Sequence, residues 1–115
     1  MVRNSLKAYA AGIMDGEGCI RWNNTPTVEI TNKHIGVLTM LAGYWGGSVR
    51  DKGNDTYVWT LHSKKAVRFL KDVGKFTVIK LPQVFMLLLA AHERDRVKRQ
   101  KYIDQIKRLK HVYTN

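Results

Sequence analysis

The chain has 115 residues, which is enough for one domain with one core. Its 20 Lys and Arg against nine Asp and Glu give a formal net charge of +11, which favours a polyanionic partner, above all nucleic acid. The longest apolar run, residues 84–91, is too short to span a bilayer, and no signal-peptide hydrophobic segment or cysteine cluster is present. We therefore expect an intracellular protein (cytoplasmic, organellar or in a phage-infected host), neither secreted nor bound to a membrane.

The first predicted element is a helix over residues 5–15, with Asn4 or Ser5 as a favourable N-cap. Small residues and one acid share a face at helical spacing, and this set comprises Ala8, Ala11, Gly12 and Asp15. A face with so little bulk allows another backbone to approach closely. The opposite side has larger apolar residues suited to packing on a sheet: Leu6, Tyr9, Ile13 and Met14.

The predicted end of this helix combines glycines with acids. Gly16 and Gly18 are expected to end it in left-handed conformations, while Asp15 and Glu17 lie in the same last turn. Carboxylates near the negative end of the helix dipole cost about 0.3–1 kcal/mol each. A divalent cation explains the pair, because Mg²⁺ is commonly held by one or two carboxylates together with substrate phosphate oxygens.

Two hairpins follow, each preceding a helix. Apolar and polar residues alternate in four predicted strands, over residues 19–23, 27–32, 48–52 and 56–62. Helices are predicted over residues 33–44 and over residues 64–73, the latter capped by Ser63 and closed by Gly74. A last long helix over residues 82–112 begins at Pro82 and has a basic, amphipathic second half.

This order predicts an α+β fold with a four-stranded antiparallel sheet. Helices cover one face, and the other face is open and polar. Arg, Lys, Asn, Glu and Thr on alternate strand positions are residue types that contact base edges in the major groove. Arg50 and Lys52 are candidates for guanine, Asn23 for adenine and Glu29 for cytosine; the alternative is an ordinary solvated sheet face. The candidate DNA-binding residues are Arg21, Asn23, Thr27, Glu29, Thr31, Arg50, Lys52 and Thr60.

Residues 10–18, with the sequence AAGIMDGEG, resemble the nine-residue signature of the LAGLIDADG homing endonucleases. The differences are mainly conservative apolar exchanges and Glu17 in place of the second Asp. In that family the signature helix forms the dimer or pseudo-dimer interface, and its last acid binds the catalytic metal. The resemblance implies a single α-β-β-α-β-β-α domain over residues 1–115. It also implies an interface through Ala8, Ala11, Gly12 and Asp15, and a metal site at Glu17 and the Gly16 carbonyl.

The same resemblance implies two further catalytic residues. Lys80 matches the family's central lysine, which is thought to assist the metal-bound water or the transition-state charge, with Gln83 as a weaker companion. Asn32 matches a position where the family often places a polar residue near the attacking water. From the residues alone, an ordinary exposed lysine is the alternative for Lys80, and Asn32 could equally cap the following helix.

The expected function is therefore site-specific double-strand cleavage of DNA by a Mg²⁺-dependent homodimer, with Mn²⁺ expected to substitute for Mg²⁺. The target implied by the resemblance is a long pseudo-palindromic site, and the implied role is homing of an intron or another mobile element. The alternative is a catalytically silent nucleic-acid binder of the same fold, either an RNA maturase or a DNA-binding regulator.

Overall fold

The computed structural model describes residues 2–113, with side chains through Lys110, and has the predicted α+β class with one four-stranded antiparallel sheet. Its elements are α1 (Asn4–Glu17), β1 (Gly18–Trp22), β2 (Pro26–Asn32), α2 (Ile35–Trp45), β3 (Ser48–Gly53), β4 (Thr56–His62), α3 (Ser63–Val73), a 3₁₀ turn (Gly74–Phe76), α4 (Leu81–His92) and α5 (Arg96–Tyr113). None of the described helices combines the length and the apolar character needed to cross a membrane.

The sheet confirms both predicted hairpins. Its strand order is β1-β2-β4-β3, so that β1 and β3 form the two edges. The strand bounds differ from the predicted ones by at most one residue, because alternation of apolar and polar residues fixes which side chains face the core. On the helical side, five side chains are fully buried: Ile20, Val28, Ile30, Trp59 and Leu61.

Three aromatic rings join the helices to this inner face. Phe69 of α3 meets Trp45 and Trp59 edge to face, with ring centroids 4.9 and 5.1 Å apart. The indole N–H of Trp59 donates to the Gly46 carbonyl, and that of Trp45 donates to Asp72, both at 2.8 Å. Because both buried polar groups have partners, the cluster holds α2, α3 and β4 together without an unsatisfied donor.

The expected ends of α1 are wrong in detail. The residue before the helix is Arg3, which provides no side-chain cap, and the helix runs on through Gly16 to Glu17. Gly18 is extended, with φ −87°, and the positive-φ glycines among the described residues lie elsewhere. Glycine is required at position 18 by steric exclusion and not by its φ, because a Cβ there would lie 2.6 Å from the Met14 side chain. The chain therefore passes directly from α1 into β1.

Two other caps also differ from expectation. His34 precedes α2, and its Nδ1 accepts a hydrogen bond from the Val37 N–H, so Asn32 is not the capping residue. Ser63 is the first residue of α3, at φ 58°, and the helix has no side-chain cap. The left-handed backbone at Ser63 instead turns the chain from β4 directly into α3.

The predicted single helix over residues 82–112 is divided into α4 and α5. Asp95 accepts hydrogen bonds from the N–H groups of Val97 and Lys98, at 2.9 and 3.2 Å, and so starts a new helix. The Arg99 guanidinium donates twice to the Glu93 carbonyl and closes the bend. As a result α5 packs on α4 and contacts the edge strand β1, with Ile103 and Ile106 buried.

Candidate active site and nucleic-acid interface

Glu17 is the last residue of α1 and is exposed to solvent. The Asn32 amide, at the end of β2, donates to its Oε2 at 2.6 Å. The Asn32 carbonyl oxygen in turn accepts the His34 N–H at 2.8 Å, which fixes the orientation of the amide. The structure therefore brings together two of the three predicted catalytic residues, with Asn32 holding the Glu17 carboxylate.

Asp15 has a different environment from Glu17. Its carboxylate accepts three backbone N–H groups, those of Val78, Ile79 and Lys80, at 2.7, 3.3 and 3.0 Å. These bonds explain an acid at the wrong end of the helix dipole without any cation. Asp15 is therefore not needed as a metal ligand, and Glu17 stays the candidate.

Lys80 is held beside the end of α1 by its hydrogen bonds to Asp15. Its Nζ donates to the Asp15 carbonyl at 2.9 Å, in addition to the bond from its backbone N–H, and the residue directly precedes α4. A cavity of about 300 Å³ lies here, and its lining includes Asp15, Gly16, Lys80, Gln83 and Lys110. Lys110 was not predicted to be here, because its place depends on how α5 packs against β1. Its Nζ lies 3.2 Å from the Cys19 sulfur.

The donor set at the end of α1 fits a divalent cation such as Mg²⁺. Glu17 supplies a carboxylate, and the last carbonyls of the helix, including that of Gly16, have no partner within the helix. Hard oxygen ligands of this kind suit Mg²⁺, which retains waters and takes phosphate oxygens. Among the described residues no group of three or more His, Cys, Asp or Glu side chains could hold a metal.

The exposed face of α1 is smaller than the predicted interface. Ala8 and Gly12 are exposed, and Gly16 continues this row at i+4. Ala11 is fully buried in the chain's own core, and Asp15 is occupied by residues 78–80, so neither is available to a partner helix as predicted. Tyr9, expected to pack on the sheet, is 53% exposed and flanks the row. We define the exposed small face as Ala8, Gly12 and Gly16.

The outer face of the sheet has one carboxylate at its centre. Glu29 of β2 forms a salt bridge with Arg21 of β1, and its Oε2 lies 4.0 Å from Nη2 of Arg50 on β3. The Thr60 hydroxyl donates to the same oxygen at 3.3 Å. The two arginines come from the two edge strands, so this contact set crosses the sheet.

The eight predicted DNA-binding residues differ in accessibility. Thr27 and Thr60 are buried, at 0% and 5% exposure, and their hydroxyls are hydrogen-bonded within the chain, so their prediction as base contacts is wrong for this surface. Thr31 and Glu29 are partly buried. Four residues keep accessible polar groups, and these are Arg21, Asn23, Arg50 and Lys52.

Comparisons with solved structures identify the architecture. The homing endonuclease I-CvuI, solved in complex with its target in the presence of calcium, superposes with a TM-score of 0.78 at 15% identity, covering 91% of this chain and 82% of that one. The archaeal intron-encoded homing endonuclease I-Vdi141I, complexed with DNA, gives a TM-score of 0.70 at 21% identity, covering 94% and 84%. The LAGLIDADG meganuclease I-AabMI, bound to uncleaved DNA, gives 0.63 at 18% identity, covering 90% and 43%.

At the level of sequence, no protein-family model and no curated protein matches the chain. The likeness in structure nevertheless extends over nine tenths of its length. This chain therefore has the fold of the LAGLIDADG homing endonucleases.

Proposed function

We propose that the protein is a site-specific DNA endonuclease that acts as a homodimer and requires a divalent cation. The observation that carries the proposal is the exposed carboxylate of Glu17, held by Asn32 at the end of the helix that has the exposed small face. The net charge of +11 and the accessible arginines of the outer sheet face suit duplex DNA. Solved proteins of this fold include homing endonucleases bound to DNA.

Each side chain of the site has a definite task in this proposal. Glu17 and the Gly16 carbonyl would hold the cation, which when bound would activate the attacking water and neutralise charge on the phosphate. Asn32 keeps the Glu17 carboxylate in one orientation. The Lys80 ammonium, fixed by the Asp15 carbonyl, would stabilise the negative charge that develops on the phosphate.

The homodimer follows from the need for two such sites. Packing of the exposed small face against its copy would bring two Glu17 carboxylates close to the symmetry axis. One site could then serve each DNA strand, and twofold symmetry of the protein predicts a pseudo-palindromic target. The implied biological role is homing of an intron or another mobile element.

The test uses a pool of randomised duplexes offered with Mg²⁺ or with Ca²⁺. We expect selection of a sequence in both ions and double-strand cleavage in Mg²⁺. The Glu17→Gln variant should keep binding but lose cleavage by at least about 100-fold, because the cation loses its carboxylate ligand.

The matched control is Glu93→Gln, the same chemical change at a partly buried residue between α4 and α5. It should cleave like the wild type. Wild-type cleavage by Glu17→Gln would remove Glu17 from the mechanism. Sequence selection without cleavage by the wild-type protein would favour the catalytically silent binder instead.

A further inference from the structure

We infer that Glu29 is a positioning residue for DNA recognition. It orients the guanidinium groups of Arg21 and Arg50, and so it influences which base pairs these two arginines prefer to contact. The inference rests on the proposed DNA binding and deepens it. It replaces the sequence-based prediction that Glu29 contacts cytosine directly. Arg21, Glu29, Arg50 and Thr60 form one contact set, here named the outer-face cluster.

The register shows why one carboxylate can reach both arginines. Across the outer face, Glu29 lies in a row with Cys19, Thr60 and Ser48. Arg21 belongs to the next row in one direction, opposite Thr27, and Arg50 to the next row in the other direction, opposite Val58. The cluster is therefore a diagonal from one edge strand to the other, with its acid on an inner strand.

The carboxylate has little capacity left for a base. Its Oε1 contacts the Arg21 guanidinium, and its Oε2 accepts the Thr60 hydroxyl and faces Arg50. The Glu29 side chain is only 16% exposed, whereas those of Arg21 and Arg50 are 40% and 66% exposed. The guanidinium groups, and not the acid, are therefore presented to a ligand above the sheet.

Orientation of these arginines matters for reading sequence. An arginine recognises guanine through a planar, bidentate contact with O6 and N7, which requires an aligned guanidinium. An arginine without a fixed direction can instead contact phosphate, which adds affinity without sequence information. The Glu29 carboxylate between the two arginines disfavours phosphate contact by its charge, since it contacts the Arg21 guanidinium directly and lies 4.0 Å from Nη2 of Arg50.

The inference predicts coupling between Glu29 and Arg21. Sequence selection is measured in Ca²⁺ for wild type, Glu29→Gln, Arg21→Gln, Arg50→Gln and the Glu29→Gln/Arg21→Gln double variant. We expect Glu29→Gln to lose preference, by at least about 10-fold per base pair, at the same positions that the arginine variants affect. In the double variant the loss should equal that of Arg21→Gln alone at the positions Arg21 determines. Binding to unselected DNA should become tighter in Glu29→Gln and fall more steeply with salt.

Conservative and distant controls separate positioning from folding. Glu29→Asp keeps the charge but shortens the side chain, and should retain part of the preference. Glu93→Gln should match the wild type. Thermal unfolding of each variant reports whether the sheet is intact, because loss of the fold would remove binding at every position.

The results distinguish failure of the Glu29 inference from failure of the proposed function. Additive losses in the double variant, or a preference lost at positions that neither arginine affects, would mean that Glu29 contacts a base itself and would overturn the inference alone. If the wild-type protein selects no duplex sequence, the proposed function fails, and the inference fails with it.

Discussion

Asp15 and Glu17 are two residues apart at the end of one helix, yet the environments of their carboxylates differ. The Asp15 carboxylate accepts hydrogen bonds from the backbone N–H groups of residues 78–80. The Glu17 carboxylate is exposed and has a hydrogen bond from Asn32. The sequence predicted that both acids need a partner but not which partner, because the segment that meets Asp15 lies more than 60 residues away.

We expect substitutions at Asp15 and at Glu17 to change the free energy of unfolding by different amounts. Asp15→Asn should lower the free energy of unfolding by about 1–3 kcal/mol, because an amide oxygen replaces only part of a carboxylate that accepts three N–H groups. Glu17→Gln should change it by less than about 0.5 kcal/mol, because the side chain is exposed. Urea unfolding of both variants measures this, and equal effects would contradict the assignment.

Among the elements, the strands were the most predictable and the helix ends the least. Alternation gave all four strands, since a shift of one residue would turn Ile20 or Val28 out of the core. The division between α4 and α5 was missed because residues 93–95 contain neither Gly nor Pro. Its signal was Asp95, a good N-cap hidden within a long basic stretch. Burial of Ala11 could not be predicted, because a small residue suits a core contact as well as an interface.

The predicted function of α1 as an interface can be tested at Gly12. A Cβ there meets nothing within 4 Å in the single chain. Gly12→Leu should therefore raise the stability of the monomer by about 0.5–1 kcal/mol through helix propensity. In the homodimer a leucine would hold the two helices apart, and self-association should weaken by at least about 10-fold.

Gly43 provides the matched control for this experiment. It is an exposed glycine in α2, and a Cβ there also meets nothing within 4 Å. Gly43→Leu should stabilise the chain to a similar degree without changing self-association, as measured by sedimentation. Equal association of the two variants would place the interface away from α1.

The net charge of the chain opposes the homodimer that we propose. Each chain has a formal charge of +11, so the homodimer would have a charge of +22 in a molecule of modest size. Like charges of this magnitude repel across an interface of small, uncharged residues. A duplex neutralises both copies at once, so DNA binding and association should favour one another.

We therefore expect self-association and DNA binding to depend on salt in opposite directions. Between about 50 and about 200 mM salt, self-association of the free protein should strengthen, because salt screens the repulsion between copies. Over the same range the affinity for duplex DNA should fall by at least about 100-fold, because releasing the phosphate counterions into a more concentrated salt solution is less favourable. Sedimentation of the free protein and titration of a labelled duplex measure the two trends. Self-association that weakens with salt would indicate an interface held by ion pairs, which the uncharged face formed by Ala8, Gly12 and Gly16 does not provide.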